Sequence, residues 1–342
     1  MAIDWQSFVR WFQNVHNVIL VTHMRPDGDG IGSQLALAEA LRAMQKKVRV
    51  VIPTSFPARY RFLDPEQEVI VYTPHGEELK DADGIMVMDT GTWNQLGKFG
   101  DFMKTMQVPK LVLDHHLTQD DLGALRLVDA TAEATGRLTY EAIRALQQPI
   151  SPRMATCLFT ALAMDTGWFR HSNTTDRSFQ LAAELVKAGV QPEKLYRELF
   201  ENNTLGRHKL TGRILDRTTV IANGLVAYTY ILLSDYTQTG AVPPDSEDLV
   251  NWTLSLQGVT IGLLFIEQPA GGTKISFRSK AGLNVGRLAE RFGGGGHAAA
   301  AGAIVQAPLN EVRDQVLTDV LRAMDPERQV ETESDKARAR VD

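Results

Sequence analysis

Val18-Ile19-Leu20-Val21-Thr22-His23-Met24-Arg25-Pro26-Asp27-Gly28-Asp29-Gly30 is an apolar, β-branched run that breaks off into histidine, proline and two carboxylates. Its first five residues read as a short buried strand, and the apolar residues of 34–44 recur behind it at helical spacing. The same alternation continues through the first half of the chain. Residues 48–52, 68–72, 85–88 and 111–113 are strand-like, and residues 135–147 and 152–164 carry a helical pattern. Short apolar strands alternating with helices predict an α/β domain built on a largely parallel, buried sheet. Asp29 can be read as the cap of a helix beginning near Ile31.

Beyond this domain, helical signals run from residue 175 to about 215, and then the composition shifts. Residues 225–232, 259–266 and 274–278 read as strands, 285–292 and 309–324 as helices, and the polar stretch 235–248, with Pro243-Pro244, as loop. This predicts a larger domain over 1–200, a helical connector over 201–221 and a smaller mixed α/β domain over 222–325. In the last eighteen residues, 325–342, ten are charged. The stretch 326–342 is therefore expected to be disordered.

Composition narrows the field. The chain has 342 residues, so two domains are expected. One cysteine, Cys157, excludes a disulfide framework and a cysteine-rich metal site, and its apolar neighbours predict a buried thiol. No apolar run approaches the roughly 18 residues that span a bilayer, and the start lacks a signal-peptide pattern, so a cytoplasmic protein is expected. With 36 Lys+Arg against 41 Asp+Glu, the net charge of −5 argues against a broad basic surface for long duplex nucleic acid.

The acids and histidines stand at matching points. His23, Asp27 and Asp29 follow the first strand, Asp89 follows residues 85–88, Asp114-His115-His116 close 111–113, and Asp165 ends an apolar helix. Ligand sites of parallel α/β sheets lie outside the carboxyl ends of the strands, so these clusters should meet on one rim. Each aspartate alone reads more readily as a turn residue or helix cap than as a ligand. Five carboxylates and three histidines brought together would repel one another without a cation, and a divalent metal resolves that conflict. Ligation rich in oxygen, with some imidazole and no thiolate, favours manganese or magnesium. The surplus of ligands predicts two ions sharing a carboxylate, an arrangement suited to hydrolysis of phosphoesters or phosphoanhydrides by an activated hydroxide. Separately, Gly293 to Gly296 let the backbone approach a ligand closely, and the segment after them is expected to open a helix whose amides attract phosphate. Arg278, closing a strand, is a candidate for bidentate phosphate recognition.

The motifs His23 to Asp29 with Gly32-Ser33, Asp89, Asp114-His115-His116 and Asp165-Thr166-Gly167 resemble those of the DHH phosphoesterases. Phe292-Gly293-Gly294-Gly295-Gly296-His297 with Ala300-Ala301-Gly302 resembles the signature of the DHH-associated C-terminal domain. The length and two-domain layout are similar to the NrnA-type branch. The resemblance implies two domains with the active site in the cleft between them. It also implies hydrolysis of short RNA or DNA oligonucleotides and dinucleotides to mononucleotides, with 3′-phosphoadenosine 5′-phosphate phosphatase activity. By the same resemblance, His23, Asp27 and Asp89 hold one manganese and Asp29, Asp89, His115 and Asp165 the second. Asp114 orients His115, His116 faces the scissile phosphate, and Arg278, His297, Gly295 and Gly296 bind the substrate. The implied partners are short oligonucleotides or small bisphosphorylated nucleotides, with neither long duplexes nor membranes, and a homodimer is possible. A processive single-strand exonuclease of the same family and a catalytically silent nucleotide-binding regulator are the rival readings.

Overall fold

A computed structural model describes residues 3–74, 77–280, 282–296 and 298–324. The chain divides into two units, Met1–Asn202 and Asn203–Asp342. The expected substrate residue His297 and the expected disordered stretch 326–342 lie outside the described residues. Among the described residues, no helix is long and apolar enough to cross a membrane.

The first unit runs α1 (Trp5–Asn14), β1 (Asn17–Val21), α2 (Gly28–Ala43), β2 (Lys47–Ile52), β3 (Ile70–Val71), β4 (Gly84–Met88), α3 (Trp93–Thr105), β5 (Lys110–Asp114), β6 (Leu125–Val128), α4 (Thr135–Ala145), α5 (Pro152–Asp165), α6 (Asp176–Lys187) and α7 (Pro192–Phe200). Its strands form one wholly parallel sheet in the order β3-β2-β1-β4-β5-β6. The chain leaves β1 toward one edge and returns through β4 toward the other. The ends of β1 and β4 therefore flank the switch point where ligands bind in open α/β sheets. β1 and β4 carry apolar residues on both faces because both are covered. Val18 and Leu20 join a core with α2, α4 and α5, while Ile19 and Val21 face Leu96 and Phe99 of α3.

Helix α2 begins six residues earlier than the periodicity of 34–44 indicates. Its first turns are rich in glycine, a poor helix former, and burial rather than propensity sustains them. A Cβ on Gly32 would stand 2.3 Å from the Cys157 carbonyl oxygen, and one on Gly136 2.5 Å from the Ala161 Cβ. Glycine at these points lets α2 and α4 close on α5, which places Asp29, Thr135 and Asp165 side by side. Cys157 is buried, as expected, and burial pushes its thiol up to about 12.

The second unit comprises α8 (Leu205–Asp216), β7 (Thr219–Ile221), β8 (Val226–Ile231), α9 (Leu233–Thr239), α10 (Asn251–Leu254), β9 (Ile261–Glu267), β10 (Thr273–Ser279), α11 (Val285–Glu290), β11 (Gly295–Gly296), β12 (Ala300–Val305) and α12 (Leu309–Met324). The sheet order is β11-β12-β10-β9-β8-β7, with β8 and β9 parallel and the other pairs antiparallel. Leu288 of α11 and Val312, Val316 and Val320 of α12 pack on one face, and Leu210 and Ile214 of α8 on the other. Two sequence expectations are corrected. The stretch 235–248 is not all loop: α9 occupies its start and ends at Gly240, whose left-handed φ of 72° suits glycine. The segment after the glycine run opens no helix but forms the strand β12. Glycine is required there because a Cβ on Gly294 would stand 2.1 Å from the Gly302 carbonyl oxygen of β12.

Asp235 is the buried polar anchor of this unit. Its carboxylate takes the guanidinium groups of Arg213 and Arg217 and accepts the Leu232 amide, closing the start of α9. Burial alone would raise its pKa, but Arg217, the Leu232 amide and Arg213 outweigh burial and hold it below the usual carboxylate range.

Gly32→Ala should lower stability by about 1–3 kcal/mol, because the clash is with backbone and the helices must part; thermal unfolding against the parent measures it. Asp235→Asn should cost about 2–3 kcal/mol at pH 7, less than the 3–5 of a fully buried pair because both arginines reach solvent. The depressed pKa makes this stabilisation complete above about pH 4, with loss as pH falls further. Denaturant titrations of parent and variant should therefore converge under acid.

Candidate metal centre

The seven candidate residues come from five places at one end of the first sheet. His23 follows β1, and Asp27 is the N-cap of α2, accepting the amides of Asp29 and Gly30 through Oδ1. The cap is thus Asp27, and Asp29 stands in the first turn of the helix. Asp89 follows β4 with a left-handed φ of 63°, a conformation uncommon outside glycine that marks a constrained position. His115 and His116 follow β5, and Asp165 is the last residue of α5.

The side chains converge. His23 Nε2 lies 3.4 Å from Asp89 Oδ2 and 3.7 Å from Asp27 Oδ1. His115 Nε2 lies 3.5 Å from Asp89 Oδ1 and 3.8 Å from both Asp29 Oδ2 and Asp165 Oδ2. Three overlapping trios are spaced to hold a metal ion: His23, Asp27 and Asp89; Asp29, His115 and Asp165; and Asp89, His115 and His116. Asp89 presents one oxygen to each side, the geometry of a shared ligand.

Main-chain carbonyls orient the two flanking imidazoles. His23 Nδ1 is 2.9 Å from the Met24 carbonyl, and His115 Nδ1 is 3.1 Å from the Ala132 carbonyl. A carbonyl only accepts, so Nδ1 carries the hydrogen in both rings and Nε2 is turned toward the carboxylates, as metal-ligating histidines require. The residue expected to orient His115, Asp114, instead holds His116. Its Oδ1 accepts from His116 Nδ1 at 2.7 Å and from the His115 amide at 2.8 Å. The shift has a simple cause: two successive residues point their side chains in different directions, and only the His116 ring folds back over the strand end. Gln119 Nε2 donates to Asp114 Oδ2 at 2.5 Å. Gly91 makes room for it, since a Cβ there would stand 1.8 Å from Gln119 Oε1.

The electrostatics show what the pocket favours. Burial pushes Asp29 well above the usual carboxylate range, and Asp89, Asp165 and Asp27 push it further. Partial burial raises Asp165 to about 7, with Asp89 and Asp27 adding to it and His115 and His116 opposing. Burial pulls the His116 imidazole down, but the hydrogen bond to Asp114 and the charges of Asp89, Asp114 and Asp165 carry it up to about 9. Carboxylates that resist ionisation because of one another are relieved by divalent cations, so the donor set fits such ions.

The second unit carries the other expected residues. Arg278 stands on β10 between Gly262 of β9 and Ala300 of β12, with Nη1 donating to the Phe277 carbonyl at 3.0 Å. Gly295 and Gly296 form β11 and pair with Gly302 and Ala301, so Gly296 is two strands from Arg278 at the same end of the sheet. Sequence reasoning missed Thr135, Asn173 and Gln119. Asn173 Nδ2 donates to the Asp165 carbonyl and Oδ2 at 3.3 and 3.4 Å. Each is a common polar residue outside the acidic motifs themselves, and only the fold reveals what it touches.

Acids and imidazoles gathered at one rim of a parallel sheet make a centre suited to divalent metal ions. The DHH family, N-terminal domain, matches residues 17–162, and the DHHA1 domain matches residues 223–325. The chain thus carries a DHH N-terminal domain followed by a DHHA1 domain. It is 29% identical over 309 residues to the bifunctional oligoribonuclease and PAP phosphatase NrnA of Thermus thermophilus, covering 89% of each chain. It is 26% identical to the protein of the same name from Bacillus subtilis, covering 92% of this chain and 96% of the relative. In three dimensions it resembles an exopolyphosphatase-related protein from Bacteroides fragilis, with a TM-score of 0.87, 26% identity, and 93% and 94% of the two chains covered.

Asp114→Asn removes the anion that holds His116. The His116 imidazole should then titrate lower, moving from about 9 toward the ordinary value of 6.5. Histidine NMR across a pH series on chelator-treated protein reads this directly, and a titration unmoved by the substitution would contradict the pairing.

Proposed function

We propose that this chain hydrolyses phosphoester bonds in very short oligonucleotides to mononucleotides and removes the 3′-phosphate of 3′-phosphoadenosine 5′-phosphate, with manganese as its preferred ion. The observation that carries the reading is Asp89, whose two oxygens face His23 and His115 at 3.4 and 3.5 Å from opposite sides of one centre. The names of the Thermus and Bacillus relatives supply the substrate class.

In this reading His23, Asp27 and Asp89 hold one divalent ion, and Asp29, Asp89, His115 and Asp165 hold a second. When bound, two such ions supply Lewis acidity toward a phosphoryl oxygen and lower the pKa of water. The protein's own part is positional and acidic. The carbonyls of Met24 and Ala132 keep both imidazole Nε2 atoms turned inward. His116, held through Nδ1 on Asp114, is raised to about 9 in the metal-free centre. It faces the scissile phosphate and, when protonated, can hand a proton to a leaving oxygen. Arg278, Gly295, Gly296 and His297 bind the rest of the substrate, the guanidinium taking a phosphate in its planar fork.

The test is manganese-dependent hydrolysis of a 5′-labelled RNA series from two to about twenty-four nucleotides, with bisphosphorylated adenosine and pyrophosphate in parallel. Turnover should concentrate on two- to five-mers and include the bisphosphate. Efficient degradation of the long strands would point to a processive exonuclease, and cleavage of pyrophosphate alone would overturn the substrate reading. Asp89→Asn should reduce turnover by roughly a hundredfold or more, since it weakens the ligand common to both ions.

A further inference from the structure

Residues 132–136, which belong to none of the acidic motifs, touch three of the six expected metal ligands and reach a fourth, Asp165, through Asn173. The Ala132 carbonyl receives His115 Nδ1. The Glu133 carbonyl accepts Asn173 Nδ2 at 3.0 Å, and the same amide group reaches Asp165. Thr135 Oγ1 donates to Asp89 Oδ1 at 2.9 Å. The amides of Thr135 and Gly136 donate to the two oxygens of Asp29 at 2.7 and 2.8 Å. The segment is itself clamped: the Glu133 and Arg137 side chains form a bidentate pair at 2.6 and 2.7 Å, and both are almost fully buried.

Two features single out Thr135. Helix α4 has alanine, Ala134, at its N-cap, and no side-chain cap bond is formed there. The first free amides of the helix are satisfied by Asp29 of α2 instead, so one carboxylate completes both the helix and the metal centre. Thr135, as the first residue of the helix, also has no preceding helical turn whose carbonyl its hydroxyl could take. That hydroxyl reaches across to Asp89, which is 3% exposed, while Thr135 itself is wholly buried. A hydroxyl donating to Oδ1 fixes the rotation of this carboxylate and so keeps its two oxygens turned toward His23 and His115.

The structure assigns Thr135 as a positioning residue of the metal centre: its hydroxyl holds the shared ligand Asp89 in bridging orientation while its amide holds Asp29. The assignment rests on the proposed metal-dependent function and adds to it a residue outside the expected ligand set. Outer partners of this kind typically contribute 10–100-fold to metal affinity.

The test is manganese binding to the purified, chelator-stripped full chain, read as free Mn2+ by electron paramagnetic resonance. Thr135→Val keeps the branched shape and removes the hydroxyl, and should weaken binding of at least one ion by about 10–100-fold. Thr135→Ser restores the hydroxyl and should bind within about threefold of the parent. Should the valine variant fail to fold, judged by near-ultraviolet circular dichroism, Thr135→Ala removes the same hydroxyl and takes its place under the same criteria. A hydroxyl-free variant that titrates like the parent, or a serine variant as weak as it, overturns the assignment while leaving the metal-dependent function standing. A parent that binds no manganese overturns both.

Discussion

Mutual repulsion among buried carboxylates is the constraint around which the first unit is organised. Asp29 and Asp89 are almost fully buried and Asp165 partly so; Asp89 and Asp165 make Asp29 harder to ionise, and Asp89 does the same to Asp165. A chain that collects such groups must supply compensating donors and cations, and hold everything rigid enough that the groups do not turn away from one another. Helix amides at Asp29, a hydroxyl at Asp89 and an asparagine at Asp165 meet the first requirement. Close helix packing meets the second. Gly32 and Gly136 allow α2 and α4 to approach α5 at distances that any side chain would prevent, and these helices carry Asp29, Thr135 and Asp165.

The parallel sheet adds direction. Because β1, β4 and β5 run the same way, side by side, the residues just past their carboxyl ends emerge at the same rim. His23, Asp89 and the two histidines therefore meet although 93 residues separate the first from the last. The electrostatic cost of the site is borne where the backbone is best braced, at the ends of strands buried on both faces.

Much of this is legible in the sequence, for identifiable reasons. Apolar runs that stop abruptly at acids disclose both the strands and the rim, because burial and chemistry change at the same residue. All six expected ligands fall within the observed trios. The start of the helix at Gly28 is hidden, since glycine lowers helix propensity and only the packing of α5 explains its presence. β12 reads as a helix because alanine after glycine carries no strand periodicity; its neighbour β10 imposes the extended form. The pairing of Asp114 with His116 rather than His115 is equally hidden, because adjacent histidines are indistinguishable until ring directions are known. Thr135 and Asn173 give no signal, since the hydrogen bonds they make link segments far apart in the chain.

Most of the groups that orient the candidate ligands are main-chain atoms: the carbonyls of Met24 and Ala132 for the imidazoles, and the amides of Thr135 and Gly136 for Asp29. Every residue type has a carbonyl, and all but proline have an amide. Substitutions at Met24 or Ala132 therefore leave the orienting atom in place as long as the backbone path is kept. Mutational sensitivity around the centre should then be sparse and uneven, concentrated on a few side chains and on the glycines that permit close packing. A centre held in this way can tolerate extensive sequence drift while its geometry stays the same.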